Sequence, residues 1–309
     1  MTKKKKIIIS VSSTLIIIVT ILFSLAYRYL LEREETPISA TSSIATNTYL
    51  SSGNTDKSEA DYDDWSYTRD DLQIKIQKVE SGSGSNKITY YVADVQVKDA
   101  TDIYSAFAKN KFGRNIVETT SSIAEDNDAI FAINGDYYGF REDGILIRNG
   151  VVYRNTGTRD GLAFYEDGTM KTYDETITSA EKLISEGVID TFSFGPTLVK
   201  DGKAITNFES VKIDKNMGNS SIQNSNPRTG VGMISPNHYV FVVVDGRKEG
   251  YSKGMTLNEF SKLFEELGCT EAYNLDGGGS STMYFMGRVV NNPLGKNQER
   301  EISDILYLK

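Results

Sequence analysis

The chain of 309 residues has one cysteine, one histidine, one tryptophan and five prolines. A single cysteine excludes an internal disulfide and any multi-cysteine metal site. A single histidine excludes a multi-histidine zinc or copper centre and leaves any Ser-His-Asp relay resting on one residue. That residue, His238, follows Pro236 and Asn237 in a turn, where a solvated side chain is expected. An excess of positive charge is also missing, since 34 Lys and Arg face 42 Asp and Glu for a net charge of −8. Residues 1–35 carry +3 of this, which leaves −11 on the rest. Neutralising a phosphate backbone needs the opposite balance, so nucleic acid is excluded as a partner. An anionic ligand must be held by a local cluster of donors.

Long apolar runs are absent except at the start. Residues 7–27 carry no charge. Twenty-one residues at about 1.5 Å each make about 31 Å, enough to cross a hydrocarbon core of about 30 Å. Lys3 to Lys6 precede the run and keep the N-terminus in the cytoplasm, so the body lies outside. Ser24-Leu25-Ala26 offers a cleavage site for a signal peptide. The run exceeds a usual signal core, however, and bulky Tyr27, Arg28 and Tyr29 follow, which favours an uncleaved anchor. Either way the body is exported. Of the 23 residues 36–58, 13 are Ser, Thr or Asn, too polar to offset their ordering entropy by burial. The expected organisation is a cytoplasmic tail and transmembrane anchor over 1–35, a flexible stalk over 36–63 and one extracellular domain over 64–309.

The body alternates short β-rich runs with turn residues. Strands are expected over 72–79, 88–97, 145–147, 151–153, 162–165, 170–173, 192–199, 230–234, 239–244 and 302–308. Asn149-Gly150 is a strong hairpin signal. The clearest helix spans 257–267, opened by the capping box Thr256…Glu259 and closed by Gly268; shorter helices are expected over 119–126 and 179–186. Helices scattered among hairpins without a βαβ rhythm give an α+β fold, a mostly antiparallel or mixed sheet with a few packed helices, preceded by one transmembrane helix. Cys269 reads as a buried, inert thiol.

Three polar loops leave strands. Asn134-Gly135-Asp136-Tyr137-Tyr138 delivers an amide, a glycine and a carboxylate together; it also reads as an ordinary turn, and its two tyrosines as a sugar-stacking face or as core. Arg228, in Asn226-Pro227-Arg228-Thr229-Gly230, has the fork suited to phosphate or carboxylate, and equally suits a strand-edge ion pair. Asn274-Leu275-Asp276-Gly277-Gly278-Gly279-Ser280 sets three glycines after a strand, where backbone N–H groups can approach a ligand or a hairpin can simply flex. Asp245-Gly246-Arg247 ends another strand. No Lys follows the glycines in the manner of a P-loop.

The segments AINGDYY, FSFGPTLVKDGK, NPRTGVG, VVDGR and YNLDGGGSS, in that order, resemble the phosphodiester glycosidase family. The likeness runs from residue 129 to the C-terminus. It implies hydrolysis between a sugar anomeric carbon and a phosphate oxygen, and a site built from Asn134, Asp136, Arg228, Asp245, Asn274, Asp276 and the turn Gly277, Gly278, Gly279 and Ser280. On that reading Asp276 acts on the anomeric carbon as nucleophile or as base toward water, and Asp136 is the second carboxylate. Arg228 and the glycine N–H groups hold the phosphate, while Asn134 and Asn274 bond the sugar. No cofactor is required, although such carboxylates also suit Ca²⁺. The expected substrate is an envelope glycopolymer containing sugar-1-phosphodiesters. A non-catalytic wall-carbohydrate-binding or polysaccharide-assembly protein is the alternative.

Overall fold

The computed structural model describes residues 3–38, 60–211, 213 and 221–309, with residues 3–11 and 100 described by backbone alone. Most of the expected stalk lies outside the described residues.

Two antiparallel sheets carry the body. The larger has nine strands, in the spatial order Lys203–Ala204, Thr197–Lys200, Glu271–Asn274, Arg228–Ser235, His238–Val244, Ile88–Val97, Leu72–Ser81, Ser66–Arg69 and Asp61–Tyr62. The smaller has five, in the order Arg288–Val289, Met283–Phe285, Phe131–Asn134, Asp304–Leu308 and Tyr104–Phe107. Side chains alternate between the faces of a strand, and here both faces are buried. Tyr239, Phe241 and Val243 enter a core shared with Phe131, Ile133, Phe285, Leu306 and Leu308 of the smaller sheet. Val240, Val242 and Val244 point the other way, onto Leu257, Phe260, Leu263 and Phe264 of the helix Leu257–Glu266. Beyond the smaller sheet, Ala132, Ile305 and Tyr307 pack on Ile123 and Ala124 of the helix Thr120–Asp126. The layers run helix, sheet, sheet, helix, an α+β arrangement of mostly antiparallel strands.

The capping box of Thr256 and Glu259 forms as expected. Cys269 is buried, and burial pushes its thiol up to about 12. His238 opens a strand and bonds Asp94 at 2.9 Å. The single strand expected over 192–199 is two, Val188–Phe192 in a three-stranded sheet and Thr197–Lys200 in the large one. Gly195, at a φ of +79°, and Pro196, which has no N–H, interrupt the ladder between them.

Register brings the polar loops to one end of the sandwich. In the large sheet Arg228 pairs with Val244 and Gly230 with Asn274, so the start of one strand meets the ends of two others. Asn134 ends a central strand of the facing sheet and pairs with Ile305.

An apolar helix, Lys3–Tyr29, precedes the body; the stretch Ser12–Tyr29 is long and apolar enough to cross a membrane and is unburied.

Candidate active site

Asp136 and Asp276, 140 positions apart in the sequence, line one cleft of about 310 Å³ with Val117, Tyr137, Phe140, Ser280 and Arg300. The two loops are tied together from behind. The Asn134 side-chain amide donates to the Asp276 carbonyl at 2.7 Å, and its Oδ1 accepts from the Thr229 hydroxyl at 2.8 Å and from the Thr282 N–H at 3.2 Å. Asn134, expected to bond the sugar, is fully buried, and its side chain holds the Asp276 loop. Gly135 is required by packing: a Cβ there would lie 2.4 Å from Asp304 Oδ1.

Each acid has its own setting. Asp136 is pinned on both oxygens. Oδ1 accepts the Tyr138 N–H at 2.8 Å, and Oδ2 accepts the Ser193 N–H at 2.9 Å with Arg148 at 3.4 Å. Arg148 is buried and also bonds Asp304 at 2.5 Å, while its guanidinium stacks 4.1 Å from the Phe192 ring centroid. Burial, and then the negative charge of Asp136, push the Asp304 carboxyl well above the ordinary value, against the pull of Arg148. Asp276 accepts the Ser280 hydroxyl at 2.5 Å and Arg300 at 3.1 Å on Oδ2. Burial raises its carboxyl; Arg300, Ser280, Arg141 and the Gly277 N–H pull the other way. Tyr137 and Phe140 stack with centroids 4.7 Å apart on the cleft wall.

The other expected site residues are nearby but engaged elsewhere. The Arg228 guanidinium donates to the carbonyls of Met255 at 3.0 Å, Ile222 at 2.7 Å and Asn224 at 2.9 Å. It is buried, and burial followed by Arg247 lowers it to about 10. Those carbonyls take the Nε and Nη2 donors of the fork expected to hold phosphate. Asp245 accepts from Tyr251, Asn291 and the Asn292 N–H, which fixes the loop after the strand Arg288–Val289. Asn274 donates to the Gly195 carbonyl at 2.8 Å, and its buried Oδ1 has no hydrogen-bond partner among the described residues. Within the glycine turn Gly278 donates its N–H to the Pro227 carbonyl and adopts a φ of +64°, with the Arg247 guanidinium 3.3 Å from where a Cβ would stand.

Arg300 and Arg148 escape the sequence reading. Arg300 sits in a polar stretch before the last strand, next to Glu301, and nothing local marks it. Arg148 had a signal, a cation closing the apolar run Gly144–Arg148 before a hairpin turn.

This chain belongs to the phosphodiester glycosidase family, whose model matches residues 127–309. It is 35% identical over 207 residues to the SPbeta prophage-derived uncharacterized protein YomE of Bacillus subtilis (strain 168), a match spanning 64% of this chain and 30% of that protein's length. Its fold is similar to the zebrafish N-acetylglucosamine-1-phosphodiester alpha-N-acetylglucosaminidase catalytic domain auto-inhibited by its pro-peptide, with a TM-score of 0.61 and 22% identity over 77% of this chain and 83% of the other. A hypothetical protein from Synechocystis gives a TM-score of 0.60 at 13% identity, covering 82% of this chain and 64% of that one. Family membership supports a glycosidase acting as a hydrolase.

Proposed function

We propose that this cleft hydrolyses the glycosyl–phosphate bond of a sugar-1-phosphodiester, and that its substrate is an envelope glycopolymer or related glycoconjugate outside the membrane. The observation that carries the reading is the meeting of Asp136 and Asp276 on one cleft beside a half-exposed guanidinium, Arg300. Breaking the bond from the anomeric carbon to the phosphate oxygen builds positive charge on that carbon. Asp136, whose oxygens are fixed by two N–H groups and Arg148, is the stationary negative group beside it. Asp276 is the working acid, as nucleophile or as base toward water. Phosphate leaves readily, so the demand for a proton donor is small. Arg300 takes the phosphate-holding role expected of Arg228, since its fork has donors beyond those on Asp276 and Ser280, and Arg247 stands near it. Tyr137 and Phe140 offer the sugar an apolar face.

Among the described residues no group of three or more His, Cys, Asp or Glu side chains is gathered to hold a metal, and the proposed steps need none. Full-length protein in detergent, given an N-acetylglucosamine-1-phosphodiester, is expected to release free sugar at the same rate with and without EDTA. Binding without release would leave a carbohydrate-binding protein. Loss of rate in EDTA restored by Ca²⁺ would place a metal in the site.

Arg300→Ala tests the division of roles. A charged hydrogen bond to an anion contributes about 1.5–3 kcal/mol, so KM for the diester is expected to rise by roughly ten- to a hundredfold. Arg300 also holds the Asp276 carboxyl down. Ionised Asp276 is the active form, so the rate falls as pH drops through its pKa. Without Arg300 that pKa rises and the acid limb of kcat/KM moves to higher pH. A limb that stays in place, or moves lower, would separate Arg300 from Asp276.

A further inference from the structure

The apolar helix does not simply lead into a loose tether. Past its last turn the chain lies down on the body at once. Arg33–Glu34 pairs antiparallel with Gly113–Arg114, the Glu35 N–H donates to the Phe112 carbonyl at 2.9 Å, and the Ile38 N–H donates to the Val152 carbonyl at 3.0 Å. Glu32 pairs with Lys109 and Glu34 with Lys111. The Asn115 side-chain amide donates to the carbonyls of Arg28 at 3.1 Å and Leu31 at 2.9 Å, where the helix ends and its carbonyls lack intrahelical partners. Tyr27, Tyr29, Leu30 and Leu31 are exposed around this junction, a composition that settles at a bilayer interface.

The same stretch of body forms the cleft wall. The Asn115 N–H donates to the Gly139 carbonyl, within the turn that carries Phe140. Val117 lines the cleft, and Glu118 exchanges backbone hydrogen bonds with Ile302, between the lining residues Glu301 and Ser303. Two residues lie between Asn115 and Glu118, so the two are three steps apart, at most about 11 Å of chain. One short segment therefore caps the membrane helix at one end and builds the substrate wall at the other.

We propose that the cleft is held at the membrane surface, and that its substrate is a glycosyl phosphodiester anchored in the same bilayer, a sugar-1-phosphoryl lipid. This rests on the glycosidase reading above and narrows its substrate. The contacts of residues 33–38 with the body stand between the helix and the rest of the segment 36–63. In the reaction water adds across the anomeric bond. Its oxygen joins the sugar carbon, and the phosphate oxygen departs with the bonding pair on a lipid phosphate monoester, its charge balanced by the released proton. Around the junction the charges are paired: Glu32 with Lys109, Glu34 with Lys111 and Glu142 with Arg114.

Two measurements on full-length protein in vesicles test it. Buried Cys269 resists labelling, so a fluorophore can be placed through Glu301→Cys on the cleft rim or Ser235→Cys in the hairpin turn at the opposite end of the large sheet. Nitroxide lipids are expected to quench the first and spare the second; equal quenching would overturn the placement. For activity, the probe is N-acetylglucosaminyl-1-phosphoryl polyprenol in the same bilayer, with UDP-N-acetylglucosamine as the soluble arm. Inserting twenty Gly/Ser residues between Leu31 and Glu32 leaves the docked strand in place but frees it from the helix. Turnover of the lipid is expected to fall about tenfold or more, with the soluble arm unchanged. An unchanged lipid rate, or cleavage of the soluble diester alone, would overturn the proposal. Cleavage of neither would overturn the glycosidase reading instead.

Discussion

Asp276→Asn is expected to cut turnover of a sugar-1-phosphodiester by roughly a thousandfold or more, the scale on which removal of a positioned acid–base or nucleophilic group acts. The amide keeps the shape of the carboxyl and an oxygen for the Ser280 hydroxyl, but it neither attacks carbon nor takes a proton. The fold should survive. Burial already disfavours the charge on Asp276, and the partner it leaves, Arg300, is half exposed with the Gly277 carbonyl and Ser280 within reach. Thermal unfolding is therefore expected to shift by no more than about 1 kcal/mol. Substrate binding, read by the inactive variant's protection of the cleft, should persist. Activity within tenfold of the parent would remove Asp276 from the chemistry, and loss of activity with loss of fold would make it a structural residue.

Arg148→Ala is expected to have the largest effect on stability. Its guanidinium lies between Asp136 and Asp304, and the charge of Asp190 acts on it as well. It further donates to the carbonyls of Ile147 and Thr191. One cation thus serves several buried acids, and Asp190 is itself pushed up to about 6 by burial. Removing one partner of a buried pair leaves an uncompensated charge at about 3–5 kcal/mol. For a body of this size that is a fall in melting temperature on the order of 10 °C. The double variant Arg148→Met with Asp304→Asn is expected to recover much of the loss, because it removes charge on both sides and keeps an apolar stem against Phe192. A single variant that melts within a degree or two of the parent would mean that these acids are neutral without the guanidinium.

The features legible in the sequence were those set by local chemistry. The hairpin turn at Asn149-Gly150, the capping box at Thr256 and the helix stop at Gly268 each depend on neighbours a few positions away. The family motifs marked the loops that converge, and Asp136 and Asp276 do share a cleft. Which motif residues face the cleft was not legible. Arg228, Asn134 and Asp245 have the side chains of ligand-binding groups. Their partners are a carbonyl at Met255, the backbone of Asp276 and the Asn292 N–H, supplied by chain segments that only the folded register brings near. Arg300 illustrates the converse. Ordinary in its own stretch of sequence, it reaches Asp276 because Ile302 pairs with Glu118. The polar composition of 36–58 likewise suggested a tether, while the docking of Arg33–Glu34 depends on an edge at Gly113–Arg114 that composition does not reveal.

The bond that breaks is the centre of this account, and heavy-oxygen water reports it. When the protein cleaves an N-acetylglucosamine-1-phosphodiester in such water, mass spectrometry should find the label on the anomeric hydroxyl of free N-acetylglucosamine and none on the phosphate. Label on the phosphate, with sugar-1-phosphate as a product, would mean attack at phosphorus and would contradict the roles given to Asp136 and Asp276.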